Sequence, residues 1–387
     1  MQRRDFLKGL AATGFVSLSP QLAWAAGPDY SRLLILVELK GANDGLNTVI
    51  PFADPEYARL RPRIGIKRED VLQLDERSAL HPALQPLMAL WQARELAIVQ
   101  TVGYPAPNLS HFRSIEIWDT ASKSDEFLHD GWLARAFAAN PTPASYVADG
   151  VLVGASELGP LAGAGTRAIA LSNTDQFLRA AKLAHPAEAS GNAALKHLLK
   201  VESDVAYAAS RLNTAYVFKT VFPGGAFGNA VKTGCQVLAS GSGKGGVAAL
   251  RLTLSGFDTH QNQPGTHANL LKQLAEGLLA LKNALGELGR WNDTLVMTYA
   301  EFGRRPKENQ SNGTDHGTAA PHFVLGGRVR GGLYGEVPRL DRLDGNGNPP
   351  FSVDFRSLYA TALERWWGVP SAKVLDGPYP SLDLLRA

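Results

Sequence analysis

A single cysteine, Cys235, occurs in 387 residues. It can form no disulfide within the chain, so stability has to come from a buried core, and Cys235 itself reads as a small buried apolar residue. A set of cysteines for an iron–sulfur cluster is missing. So is a glycine-rich dinucleotide fingerprint after the first apolar strand, which removes the residue basis for a secreted oxidoreductase. The apolar stretch near the N-terminus, Leu10 to about Leu18, is too short to span a bilayer, which takes about 20 residues. Excess charge is also scarce. The formal net charge is +3. Residues 1–25 carry three positive charges and one negative, so their removal leaves +1. With the mature chain so nearly neutral, nucleic acid drops out as a natural partner.

What is present is ordinary globular composition, 45% hydrophobic and 19% charged, enough for one large core. The 39 glycines and 23 prolines suit the tight connections of alternating strands and helices. The first segment, MQRRDFLKGLAATGFVSLSPQLAWAAG, has a basic start, a short apolar stretch and a small-x-small pattern at Ala23–Trp24–Ala25. With Arg3–Arg4 it resembles a twin-arginine export signal over residues 1–25. The expectation is a periplasmic or secreted protein with no transmembrane segment in the mature chain, and one domain over residues 26–387. Export by that route occurs after folding, so a metal could be loaded beforehand.

Downstream, LLILVEL (Leu33–Leu39) and LAIVQTVGY (Leu96–Tyr104) are continuous apolar runs rich in branched residues, the pattern of strands buried on both faces. A helix is expected from His111, with Phe112, Ile115 and Trp118 as its apolar positions. Another is expected over residues 194–218, ahead of a flexible SGSGKGG. Then come strand AALRLTLSG, a helix with a stripe at Leu270, Leu271, Leu274, Leu278 and Leu281, and strand DTLVMTYAEFG. That strand–helix–strand order is the unit of a parallel α/β sheet. Strand HFVLGG and a helix around DFRSLYATALERWWG complete the chain. The predicted fold class is α/β, a three-layer sandwich around a mostly parallel central sheet.

In open α/β sheets ligands bind beyond the carboxyl ends of the strands. Each predicted strand here leads into chemistry at that end: Asn43 and Asp44, then Ser110 and His111, then Asp258 and His260, then Glu301 and Arg304, then a loop GTDHGTAAPH carrying Asp315, His316 and His322. Carboxylates and imidazoles together suit zinc, manganese or another first-row divalent ion. Two such ions can activate an oxygen nucleophile and stabilise a leaving oxygen. Each residue has a plainer reading as well. Asp44 in Asn-Asp-Gly can shape a turn. Ser110 can cap a helix. His111 can be structural, Glu301 and Arg304 can be a local ion pair, His267 can be a surface or hinge histidine, and His322 a satisfied strand residue.

KGANDGLNTVIP, NLSHFRSIEIWDTA, GFDTHQNQ, TYAEFGRRPKENQSNGTDHG and VDFRSLYATALERWWG, in this order, resemble the exported bacterial family of domain of unknown function 1501. The resemblance runs from about Leu33 to Gly368. That family in turn resembles the alkaline phosphatase and sulfatase superfamily. The resemblance implies an alkaline phosphatase-like fold and two divalent ions, zinc or manganese. It would put Asp44, Asp315 and His316 on one ion beside a nucleophilic Ser110, and Asp258, His260 and His322 on the other. Two spacings differ from the superfamily's pattern. Asp258 and His260 are separated by one residue rather than three, and Glu301 stands where Asp-His-Gly would come directly after the strand. Neither Cys235 nor Ser110 lies in the C/S-x-P-x-R setting of a formylglycine sulfatase.

The resemblance implies a metal-dependent hydrolase of phosphate esters, or of sulfate esters, with Ser110 attacking and Arg304 or Arg305 neutralising a small anionic substrate. The alternative is a non-catalytic envelope protein that uses the fold to bind a partner protein or glycan. Asn43, His111, His267 and Glu301 are additional candidates for the site.

Overall fold

The computed structural model describes residues 27–171, 216–240 and 246–386. The signal-like segment, most of the helix expected over 194–218 and most of SGSGKGG lie outside the described residues. The last three positions of that helix, 216–218, are irregular.

Among the described residues the strands, in chain order, are β1 (Leu33–Lys40), β2 (Val49–Ile50), β3 (Leu72–Gln73), β4 (Ala79–Leu80), β5 (Leu96–Gly103), β6 (Ala148–Val153), β7 (Ala168–Leu171), β8 (Val247–Ser255), β9 (Thr294–Tyr299), β10 (Arg304–Glu308), β11 (Thr314–His316), β12 (Ala320–Leu325), β13 (Gly332–Tyr334) and β14 (Val353–Asp354). The helices are α1 (Pro55–Leu60), α2 (Met88–Gln92), α3 (His111–Thr120), α4 (Trp132–Ala139), α5 (Gly225–Ser240), α6 (Gln263–Glu287) and α7 (Phe355–Ala360). The central sheet runs β13-β5-β12-β9-β1-β8-β6-β7, with β14 beside β5. Strand β12 is antiparallel to β5 and β9, and every other pairing in this sheet is parallel. The strand–helix–strand unit β8-α6-β9 is therefore real, but β1 inserts between its two strands.

The apolar run Leu33–Leu39 sits at the middle of the sheet because alternate residues can be buried on both faces. Leu33, Ile35, Val37 and Leu39 join a core with α5, α6 and the turn of helix at Pro82–Leu87. Leu34 and Leu36 join a second core with α3, α4, α7 and the wide helical turn through Trp366 and Trp367. The result is the expected three layers. Helix α6 opens with a proline in its first turn, where the missing N–H has no partner to lose. It buries Leu270, Leu271, Leu274, Leu278 and Leu281, and the chain leaves it through Gly289 at φ +67°. Cys235 is buried in α5, where burial pushes its thiol up to about 12. The apolar stripe expected on α3 is displaced: Ile117 and Trp118 are buried, whereas Phe112 is 90% exposed.

The parallel strands all end at one edge, and this edge collects the loops. Strand β12 starts there because it runs the other way, which brings the preceding β10–β11 hairpin over the same edge. The close approach of these loops needs glycine. A Cβ on Gly41, at φ +109°, would stand 2.4 Å from the Asp258 nitrogen, and one on Gly313 would stand 2.2 Å from the His260 carbonyl carbon.

Candidate metal centre

Asp258 comes after β8, on the loop that Gly41 abuts. Its Oδ1 is the hub of the site. It lies 3.0 Å from His260 Nε2 and 3.4 Å from both His111 Nε2 and His316 Nε2. The His260 and His316 Nε2 atoms are themselves 2.9 Å apart. His111 arrives as the first residue of α3, after β5, and His316 as the last residue of β11. Asp258, His111 and His316 each offer one ligand atom, all within 4.8 Å of one another, the one such cluster of three or more among the described residues.

The hydrogen bonds behind the rings fix their tautomers. His316 Nδ1 lies 2.8 Å from the Leu109 carbonyl oxygen. A carbonyl only accepts, so Nδ1 carries the proton and Nε2 of the neutral ring is a lone pair. His111 Nδ1 lies 2.7 Å from Glu301 Oε1, and a carboxylate also accepts, so His111 is set the same way. Its Nε2 is buried with no hydrogen-bond partner. The Nε2 atoms of His111 and His316 therefore face one carboxylate oxygen, which also accepts from the Arg304 guanidinium at 2.6 Å and has His260 Nε2 at 3.0 Å. Neutral imidazole nitrogen with carboxylate oxygen is the donor set of a first-row divalent ion, and these three residues fit one. The Glu301–His111 contact is the carboxylate–histidine arrangement that orients metal-binding imidazoles. The Phe302 ring, 4.8 Å from His111 and 4.6 Å from His316 between centroids, holds both rings in place.

The charges agree with this geometry. Burial alone would raise the Asp258 carboxyl, but its hydrogen bond and ion pair with Arg304 outweigh that and hold it at about 2. The Glu301 hydrogen bond lifts His111 above its ordinary value, against the effect of burial. Burial keeps His316 below its ordinary value.

Several expected ligands are elsewhere. Asp44 is not in the cluster. It is fully buried against Arg61, whose Nη2 donates to Oδ1 at 2.9 Å, and Gln263 Nε2 donates to Oδ2. Burial raises its carboxyl, and the Arg61 charge more than offsets this. His322 is not in the cluster either. On the antiparallel β12 it points into the core beside Trp118, and burial pushes it down to about 3. His267 is no surface or hinge residue. It is buried, with Nε2 2.8 Å from Asn43 Oδ1, and burial lowers it to about 4. Asn43 thus serves His267 and Thr48 rather than an ion. Asp315 is half out of the site: it lines the outer groove, and its Oδ1 is 3.6 Å from His260 Nδ1. Glu301 stands behind His111 and also accepts from the Gly41 N–H at 3.0 Å.

Arg304 cannot neutralise a substrate. Its buried guanidinium donates to the carbonyls of Gly41, Ala42, Phe257 and Thr314 and to Asp258 Oδ1, and its other Nη1 N–H faces His260 Nε2 at 3.5 Å, which uses up its N–H groups. It is the clamp that ties the β1, β8 and β11 loops together. Ser110 is exposed at the N-cap of α3, and its side chain makes no capping hydrogen bond. Its neighbours on both sides touch the centre, Leu109 through its carbonyl and His111 through its ring.

No local motif links Asp44 to Arg61, so their pairing leaves no signal in the sequence. The histidines His111, His260 and His316 are each visible there as residues beyond strand ends, but their grouping around one carboxylate is not.

A model of the family described as protein of unknown function (DUF1501) matches residues 82–377, which is 296 of the 387 residues. The chain belongs to this family. No curated protein matches the sequence. Among solved structures, the chain is similar to a phosphonate monoester hydrolase from Silicibacter pomeroyi, at 10% identity and a TM-score of 0.44, over 91% of this chain and 76% of that one. It is similar to a sulfatase from Pseudoalteromonas sp., at 11% identity and TM-score 0.39, over 92% of this chain and 72% of that one. A protein in the alkaline phosphatase superfamily from Vibrio parahaemolyticus matches at 11% identity and TM-score 0.38, over 79% of this chain and 63% of that one. These are distant likenesses, and the chemistry of this family member rests on its own sheet order and side-chain geometry.

Proposed function

We propose that this protein is an exported metal-dependent hydrolase of phosphate esters, with sulfate esters as the second substrate class. The observation that supports it most directly is the pair of tautomer-fixed Nε2 lone pairs, on His111 and His316, aimed with Asp258 Oδ1 at one point. His111, Asp258 and His316 would hold a divalent ion, zinc or manganese, with His260 beside them. The ion, when bound, would supply Lewis acidity toward the ester oxygens and lower the pKa of a hydroxyl next to it. One such cluster favours a single ion over two, because Asp44 and His322 are committed elsewhere.

In this reading Ser110 is the nucleophile, held between the two residues that fix the centre and free of a capping bond. His260 is half-exposed beside these residues, with Nε2 2.9 Å from His316 Nε2 and 3.0 Å from Asp258 Oδ1, and would be the group that passes a proton to the leaving oxygen. Glu301 positions His111, and Arg304 positions Asp258.

The test is elemental analysis of the purified mature protein, then assays with 4-nitrophenyl phosphate and 4-nitrophenyl sulfate. One transition-metal ion per chain, lost in His316→Ala, and ester turnover lost in Ser110→Ala with metal retained, are the expected results. A protein that takes up no zinc or manganese after reloading would overturn the hydrolase reading and leave the envelope-binding alternative.

A further inference from the structure

Beside the metal centre lies an open groove of about 580 Å³, between α1 with the loop after it and the β10–β11 hairpin. Its charged lining residues are Arg59, Arg63, Arg305, Lys307, Glu308 and Asp315. Most of this charge is already matched. Arg59 pairs with Glu56 at 2.5 Å, and Arg63 pairs with Glu308 at 2.6 Å. Asp315 accepts from Asn309 Nδ2 and faces His260 Nδ1 at 3.6 Å.

Two cations are left over. Arg304, Pro306 and Glu308 of β10 turn inward, so the alternation of a strand turns Arg305 and Lys307 outward together, into the groove. Among the described residues neither has an ion-pair partner, and Arg305 Nε is buried with no hydrogen-bond acceptor. A buried guanidinium N–H without an acceptor is costly, and an oxygen of a water or of a ligand in the groove can satisfy it. Asp315 joins this groove to the centre, because its carboxylate lines the one and reaches His260 of the other.

We propose that Arg305 and Lys307 form a subsite for a second oxyanion of the substrate, so that the protein binds a polymer or oligomer carrying repeated phosphate or sulfate groups. This rests on the hydrolase reading for the place of the reacting ester. The arginine fork holds two oxygens of the neighbouring group, and the lysine supplies a second charge on the same face. The carboxylate of Asp315 divides the two positions and, with like charge, disfavours an anion lodged between them, so the spacing of charges along the polymer is selected.

The test is isothermal titration calorimetry on the metal-loaded protein at physiological ionic strength, which needs no turnover. The probes are inorganic phosphate, a short linear polyphosphate and a short dextran sulfate. The expected result is that one of the polymers binds at least about tenfold more tightly than phosphate. In Arg305→Ala/Lys307→Ala that advantage disappears, while metal content and phosphate binding stay as in the wild type. The tighter polymer identifies the anion. Lys232→Ala removes an exposed cation of α5, remote in the fold from this hairpin, and should leave polymer binding unchanged. Polymer binding that survives in the double variant, that is no tighter than phosphate, or that falls equally in Lys232→Ala overturns the subsite. Failure of the protein to hydrolyse any ester overturns the hydrolase reading instead, and does not alter these affinities.

Discussion

Replacing Asp44 by asparagine separates two readings of that residue by measurement. As a metal ligand it would matter to the ion and little to the fold. In the structure it is the counter-charge of Arg61, with both side chains fully buried. Arg61 also donates to Asn47 Oδ1 at 2.7 Å and to the Pro306 and Arg305 carbonyls, so it is held in place even when its partner charge is gone. An amide at position 44 keeps the volume and one acceptor but leaves a buried guanidinium charge uncompensated. Removing one member of a buried pair costs about 3–5 kcal/mol. For a domain of this size each kcal/mol moves the melting temperature by roughly 1–2 °C, so a fall on the order of 5 °C is expected. Differential scanning calorimetry measures that fall, and elemental analysis of the same sample measures the ion. Metal content should be unchanged. An Asp44→Leu/Arg61→Met variant, which removes both charges, should recover much of the loss. Loss of the ion from Asp44→Asn at an unchanged melting temperature would refute the ion-pair account and restore Asp44 to the centre.

Acid should destabilise the fold through its buried histidines. His322 is held at about 3 by burial, against an ordinary value of 6.5. Between these values only the unfolded chain takes up the proton, so this contribution is complete above 6.5 and is lost as the pH falls toward 3. At pH 5 the loss amounts to about 2 kcal/mol, seen as a steeper fall in urea midpoint from pH 7 to pH 5 in the wild type than in His322→Gln; equal slopes would contradict it. Glu301→Gln leaves an acceptor facing His111 Nδ1 but removes its charge, and should weaken zinc affinity about 10–100-fold in a chelator competition. Unaltered affinity would mean that Glu301 does not orient the imidazole. Arg304→Ala should release the three loops it clamps and lower both thermal stability and metal content, whereas a catalytic arginine would lower turnover alone.

The layers of this fold are legible in the sequence because their signals are short-range. A branched apolar run such as Leu33–Leu39 fits only a strand with both faces covered, and the leucine stripe of α6 has one period and one outcome. The strand-end rule needs no knowledge of which strands are neighbours, and the residues it picks out beyond predicted strands include His111, Asp258, His260 and His316, which the structure brings together. The rule fails where direction and partnership decide. His322 comes after the loop that carries Asp315 and His316, but β12 runs antiparallel and His322 is buried in the core against Trp118 rather than among the clustered histidines. Whether Asp44 binds an ion or an arginine depends on Arg61, brought to it by the turn through α1, and nothing in Asn-Asp-Gly encodes that arrival. Arg304 shows the same limit from the other side. A free arginine after a strand looks like a substrate ligand, and only the convergence of four carbonyls from three loops on its guanidinium turns it into a structural clamp. Sequence therefore locates the chemistry at an edge of the sheet. The role of each charged group is set by which opposite charge or carbonyl the tertiary fold delivers to it, and at this edge the fold gathers three histidines around one aspartate.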